Sequence, residues 1–145
     1  MTLSTRERAL AGLEAVLSRV AGAKVTRNEP LPQSAPAGGL LILRDGDPGD
    51  PEITLSPPTY EYDHVALVEA IVQAAPRAAR IANLDELLRG LGQALAADQT
   101  LGGTVTRLTW SAARDLDDEA IEGASGLRGA VVEVTLTYST TNPLL

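Results

Sequence analysis

Two hydrophobic periods run along this chain, and the points where one gives way to the other predict its elements. Over residues 4–21, Leu10, Leu13, Val16, Leu17 and Val20 recur at three- and four-residue steps, the period of a helix with one buried face. Ser4 and Glu7 form an S-x-x-E capping box at its start, and Gly22 supplies a left-handed stop. The same period returns over residues 83–98. Leu84, Leu87, Leu88, Leu91 and Leu95 make the stripe, and Asn83 with Glu86 makes a second cap. Gly90 and Gly92 each cost this helix about 1 kcal/mol relative to alanine, a cost that close packing against a sheet would explain.

Between and after the helices the period shortens to two. Residues 25–28 predict a short strand, beyond which Pro30 and Pro32 forbid regular ladder pairing. Residues 40–46 predict a buried strand closed by an Asp-Gly turn, and residues 53–55 a short strand. Residues 59–75 fit both periods. As a helix they align Val65, Val68, Val72 and Ala75. As a strand they place Tyr60, Tyr62, His64, Ala66, Val68, Ala70 and Val72 on one face. The alternating tyrosines favour a long strand, which Pro76 ends. In residues 104–116, Val105, Arg107 and Thr109 alternate with Thr106, Leu108 and Trp110, again a strand. An acidic, glycine-bearing loop follows. The clearest strand covers residues 130–140, with Val132, Val134, Leu136 and Tyr138 on one face, and "NPLL" forms a tail. Strands in runs, rather than alternating with helices, predict an α+β fold. A mixed, largely antiparallel β-sheet would carry two main helices on one face, in a single domain over residues 1–145.

Composition narrows the chemistry. Apolar residues make up 44% of the chain, enough for a core, but there is no Phe, one Trp and three Tyr, so Leu, Val, Ile and Ala must build it. Without cysteine, disulfides and thiolate metal sites are excluded. No stretch reaches the roughly 20 apolar residues of a membrane span, and the charged start does not resemble a signal peptide; a soluble protein made in a cytoplasm is expected. The net charge of −7 is unevenly spread: +3 over residues 1–44, −7 over 45–72, +2 over 73–114 and −5 over 115–145. Such blocks suit subunits that meet oppositely charged copies, and they equally describe solvated acidic loops. With no basic cluster, gripping nucleic acid by its phosphates is disfavoured.

Candidate catalytic patterns fail on spacing or context. Gly90-Leu-Gly92 lacks the third glycine of a dinucleotide fingerprint and lies inside a helix. "AADQTLGGTV", residues 96–105, pairs glycines with an acid, but no G-K-[ST] follows, and the order is helix, turn, strand. A phosphate cradle needs amides at a helix start. His64 is the only histidine, and Asp63, its strand neighbour, points to the opposite face, so it cannot orient the ring as a triad requires. Asp45, Asp47, Asp50 and Glu52 approach a calcium loop, but Pro48 breaks the pattern. Asp115, Asp117, Asp118 and Glu119 offer paired carboxylates without the aromatic lining of a sugar cleft.

One resemblance goes further. "ALAADQTLGGTV" resembles the helix-end motif Ala-x-Asp-x-Thr-Leu-Gly-Gly-x-Val of tail terminator proteins from long, non-contractile-tailed phages and gene transfer agents. Four more elements agree in order: "RERALAGLEAVLSRV", "VTRNEPLP", "YEYDHVALVEAIV" and a last strand ending "VTLTYST". The chain is most similar to the gene transfer agent version, within the group typified by the phage lambda minor tail protein U. The resemblance implies a mixed α/β domain whose copies form a hexameric ring. Such a ring caps the head-proximal end of the tail tube, halts its polymerisation and meets the head-completion (stopper) protein. DNA passes through its lumen without sequence-specific binding. No catalysis, cofactor, metal or membrane is implied, and the place of action is the head–tail junction of a virion or virion-like particle. The charge blocks then nominate inter-subunit or tube contacts: Arg27 and Arg44 against Asp45, Asp47, Asp50 and Glu52, or against Asp115, Asp117, Asp118, Glu119 and Glu122. Two alternatives remain at this point: another connector component, such as an adaptor or tail-completion subunit, and a small hydrolase built on His64 or the acid clusters.

Overall fold

Ser4 starts the first helix. Its hydroxyl accepts a hydrogen bond from the Glu7 amide at 3.1 Å, and α1 runs over Thr5–Leu17. In this computed structural model, which describes residues 2–116 and 126–145, only that half of the expected capping box forms. Both Glu7 carboxylate oxygens go to Arg27 instead. The helix also ends before its apolar period does. Beyond Leu17 the chain tightens into turns, Arg19 N to Val16 O and Val20 N to Leu17 O, until Gly22 turns it left-handed. Val20 remains buried, so the spacing outlasts the helix.

The strands are β1 (Lys24–Arg27), β2 (Leu40–Asp47), β3 (Glu52–Thr54), β4 (Thr59–Gln73), β5 (Arg107–Trp110), β6 (Arg114–Asp115) and β7 (Leu127–Thr140). All seven join one sheet in the order β1-β2-β4-β7-β5, with β3 on β4 and β6 on β7. Among the described residues only β1 and β2 pair in parallel. Two helices on one face of a mostly antiparallel sheet make the fold α+β, as the grouping of strands predicts. The ambiguous segment is a strand, and it pairs with β7 residue for residue from Tyr60↔Thr140 to Gln73↔Leu127. Its expected face is the one the helices cover: Tyr62, His64, Ala66, Val68, Ala70 and Val72 are buried. Leu10, Leu13 and Leu17 of α1 meet them there, with Leu84, Leu87, Leu91 and Leu95 of the second helix. Each leucine buried in this way stabilises the fold by about 1.5–3 kcal/mol. A smaller cluster on the other face joins Leu40, Ile42 and Ile71 to Leu31 and Ala35 of the proline-rich connection and to Leu116 and Leu127.

Three expectations are corrected. The second helix, α2, spans Arg77–Ala97 and is capped by Pro76, not Asn83. The run Arg77-Ala-Ala-Arg-Ile-Ala is itself helix-favouring, so Asn83 and Glu86 lie inside the helix, and Pro76 both ends the strand and opens the helix. Asp45-Gly46 is not a turn. Gly46, at φ +69°, forms a bulge inside β2, where the register with β4 shifts between Arg44 and Asp47. Residues 104–116 are two short strands, not one, because the chain leaves β7 at Ser111 and returns at Arg114.

The stretch 98–104 is a helix stop and a turn. Asp98 accepts from the Gly102 amide at 3.1 Å and pairs with Arg19 at 3.4 Å. Leu101, Gly102 and Gly103 all take positive φ, and Leu101 is buried beneath the turn. Gly12 of α1 provides the seat: a Cβ there would lie 2.7 Å from Thr104 Oγ1. Close approach also accounts for Gly90, but to Val20 Cγ1 at 3.2 Å rather than to the sheet, while Gly92 faces open space.

Candidate functional site

The β2 bulge gathers a dense polar cluster. β1 and β2 run in parallel, so Arg27 emerges beside the bulged Asp45, under the first turn of α1. Its guanidinium makes four hydrogen bonds to two carboxylates. Nη1 and Nη2 donate to the two Glu7 oxygens at 2.6 and 2.8 Å; Nε and Nη2 donate to the two Asp45 oxygens at 2.7 and 3.1 Å. Arg6 lies 3.8 Å from Asp45 at the margin. Hydrogen bonding to Arg27 holds both carboxyls below their ordinary values, and the two acids raise the guanidinium in turn.

His64 closes the inner side of the bulge. Its Nε2 is 2.5 Å from the Asp45 carbonyl oxygen and its Nδ1 2.9 Å from Tyr138 Oη. A carbonyl only accepts, so Nε2 carries the proton and Nδ1 accepts from the tyrosine hydroxyl. The ring is fully buried, and that desolvation pushes its pKa down; burial also pushes the Tyr138 phenol up to about 12. Asp63 points to the other face, as alternation predicts, and accepts from Thr137 Oγ1 at 2.7 Å. The imidazole thus ties β2 to β7 as a neutral, doubly bonded group. As pH falls through 6.5 the unfolded chain takes up a proton that the folded ring refuses until lower pH, so stability declines with acidification. We expect His64→Gln to remove a slope of at most about 1.4 kcal/mol per pH unit, read from urea unfolding at about pH 7.5 and about pH 5.5. An unchanged slope would mean that His64 does not set it.

The other nominated residues are dispersed. Arg44 donates to both Glu69 oxygens, at 3.3 and 3.1 Å, and to the Glu29 carbonyl. Thus Arg27 and Arg44 both have acidic partners inside the chain, and among the described residues only the Arg27–Asp45 pair joins two nominated residues. Asp47 accepts from the Gly49 amide at 2.7 Å. Asp50 is exposed beyond the bulge, and Glu52 stands opposite Glu61 across β3 and β4. Asp115 is exposed in β6, 3.8 Å from Arg128. Asp117, Asp118, Glu119 and Glu122 lie outside the described residues. Among the described residues no group of three or more His, Asp or Glu side chains could hold a metal, and no helix is long and apolar enough to cross a membrane.

Two surface features escaped the sequence reading. Five of the seven large exposed apolar side chains among the described residues, Leu3, Ile53, Leu55, Leu144 and Leu145, gather at one end of the long strands. Hydrogen bonds hold them there: the Leu145 carbonyl accepts from the Thr5 amide at 2.9 Å and from Thr140 Oγ1 at 3.4 Å. Thr140 pairs with Tyr60, and Tyr60 with Ile53. At the opposite end, a groove of about 640 Å³ opens between the end of α1, the flank of α2 and the turn before β2. Val20, Leu87 and Ala97 line it, with Arg19, Arg89 and Glu86 among its charged residues. The register of β4 brings the first patch together, and a sequence pattern could not reveal it without the pairing. Compared with protein-family models and with curated proteins, the chain matches none.

Proposed function

We propose that this chain is a structural ring subunit of the tail-terminator kind. Its ring caps the head-proximal end of a tail tube, stops tube polymerisation, and joins the tail to a stopper protein while DNA passes through the lumen. The observation that carries the reading is the stretch 94–105. Its Asp98, Leu101, Gly102 and Gly103 act together as a helix stop that seats on Gly12 of α1. The residues that give the resemblance therefore have a shared physical task.

The test is reconstitution with purified tube protein. Negative-stain images should show tubes of limited length with one capped end, and particle mass should rise from one chain to a hexamer, alone or on tubes. Tubes that elongate uncapped at saturating protein would overturn the proposal.

A further inference from the structure

We propose that the β3–β4 hairpin end of one copy seats in the α1–α2 groove of the next, head to tail; this rests on the ring reading and names the surfaces that would join. The hairpin carries Ile53, 54% exposed, and Leu55, 77% exposed, beside Leu144 and Leu145. Ile53 is paired with Tyr60, so the two side chains share a face of the hairpin. A contiguous apolar end of this kind marks a contact surface.

Charge narrows the occupant to a second copy. Of the seven acids from Asp45 to Val72, Asp45 and Glu69 are paired with Arg27 and Arg44, while Glu52 directly opposes Glu61 across the hairpin. Like charges in that register destabilise an isolated hairpin; a cationic neighbour relieves them. The groove offers that neighbour in Arg89, beside Glu86; Arg19 at its margin is 59% exposed and is already paired with Asp98. Ala97 is exposed in its lining, and the edges of the core residues Val20 and Leu87 reach it, matching the hairpin side chains in kind.

Geometry excludes closure within one copy. The hairpin joins β4 at Tyr60, whereas the groove reaches it at Val72, about 40 Å further along the strand. Complementary surfaces at opposite ends of one molecule make a heterologous contact, which closes into a ring when the rotation between copies closes and otherwise runs on as a filament. Pro57 and Pro58 at the hairpin turn, with Pro48 and Pro51 before β3, stiffen the element and blunt strand addition at its edge. Contact by side chains into a groove is what such an element retains.

The chain lacks cysteine, so a single introduced thiol reports one contact. Leu55→Cys and Ala97→Cys each replace an exposed residue. The two variants are mixed and oxidised under the conditions in which the wild type assembles, alone or on tubes. The expected result is a disulfide-linked dimer of one copy of each, with little product when either variant is oxidised alone. Self-linked Leu55→Cys dimers in equal yield would overturn the proposal in favour of a symmetric contact. No linkage in particles that still form rings would overturn these surfaces and leave the ring reading standing. A wild type that assembles under neither condition would overturn both.

Discussion

Gly46→Ala is expected to cost the fold about 4 kcal/mol or more, whereas Gly49→Ala should cost about 1 kcal/mol. The two glycines share almost the same backbone, φ +69° and +68°, so the penalty for a left-handed alanine is common to both. Their surroundings differ. A Cβ at Gly46 would lie 1.9 Å from the Val65 carbonyl oxygen, which is backbone and cannot turn aside; at Gly49 nothing lies within 4 Å. Relieving the clash separates β2 from β4 at the bulge. That displacement moves Asp45, whose carbonyl holds His64 and whose carboxylate holds Arg27. A loss of that size is a large share of a domain's usual 5–15 kcal/mol. Urea unfolding of both variants measures the difference directly. Equal losses would show that the bulge tolerates a side chain and that only the φ angle calls for glycine.

Arg27→Met is expected to be strongly destabilising. It leaves the Glu7 and Asp45 carboxylates facing each other beneath α1 with only Arg6 near. Breaking a fully buried ion pair costs about 3–5 kcal/mol. Arg27 and Asp45 retain 23% exposure and Glu7 33%, so solvent screening brings the expected loss to about 2 kcal/mol at neutral pH. The pH dependence identifies the cause. Both carboxyls have folded pKa values below their ordinary 4.5 and 3.8. Their stabilisation is therefore complete above those values and is lost as pH falls through the lower folded ones. The wild type should lose stability on acidification below about pH 4.5, and the variant should lose less. The gap between the two proteins then narrows with acid. A gap that stays constant with pH would assign the loss to packing of the arginine stem rather than to its charge.

Much of the architecture was legible because alternation and helical period are local consequences of burying one face. β4 shows the strength of this. Its Tyr60 to Val72 face was readable as a strand face, and the helices cover that same face. β7 was readable for the same reason. The boundaries were less legible. Asn83 and Glu86 carry a good cap pattern, but a cap operates only if the preceding residues are not already helical, and here they are. Gly46 follows an aspartate as in many turns; whether such a pair turns the chain or bulges it depends on whether the partner strand continues past it, and β4 does.

The candidate contacts divide along the same line. The sequence places Arg27 eighteen positions from Asp45 and twenty from Glu7, and its charge blocks favoured partners across a subunit boundary. Parallel pairing of β1 with β2 puts those three side chains together inside one chain. The local order of residues by itself determined the α+β class, the two apolar helix stripes, the faces of the long strands and the helix stop at 98–104, since each depends on neighbours a few positions away. Only the tertiary structure decided which charges are neutralised internally, that His64 is a buried link between strands, and that Ile53, Leu55, Leu144 and Leu145 share one end of the molecule. Those outcomes are set by strand register and helix placement, which bring together residues that no local pattern relates.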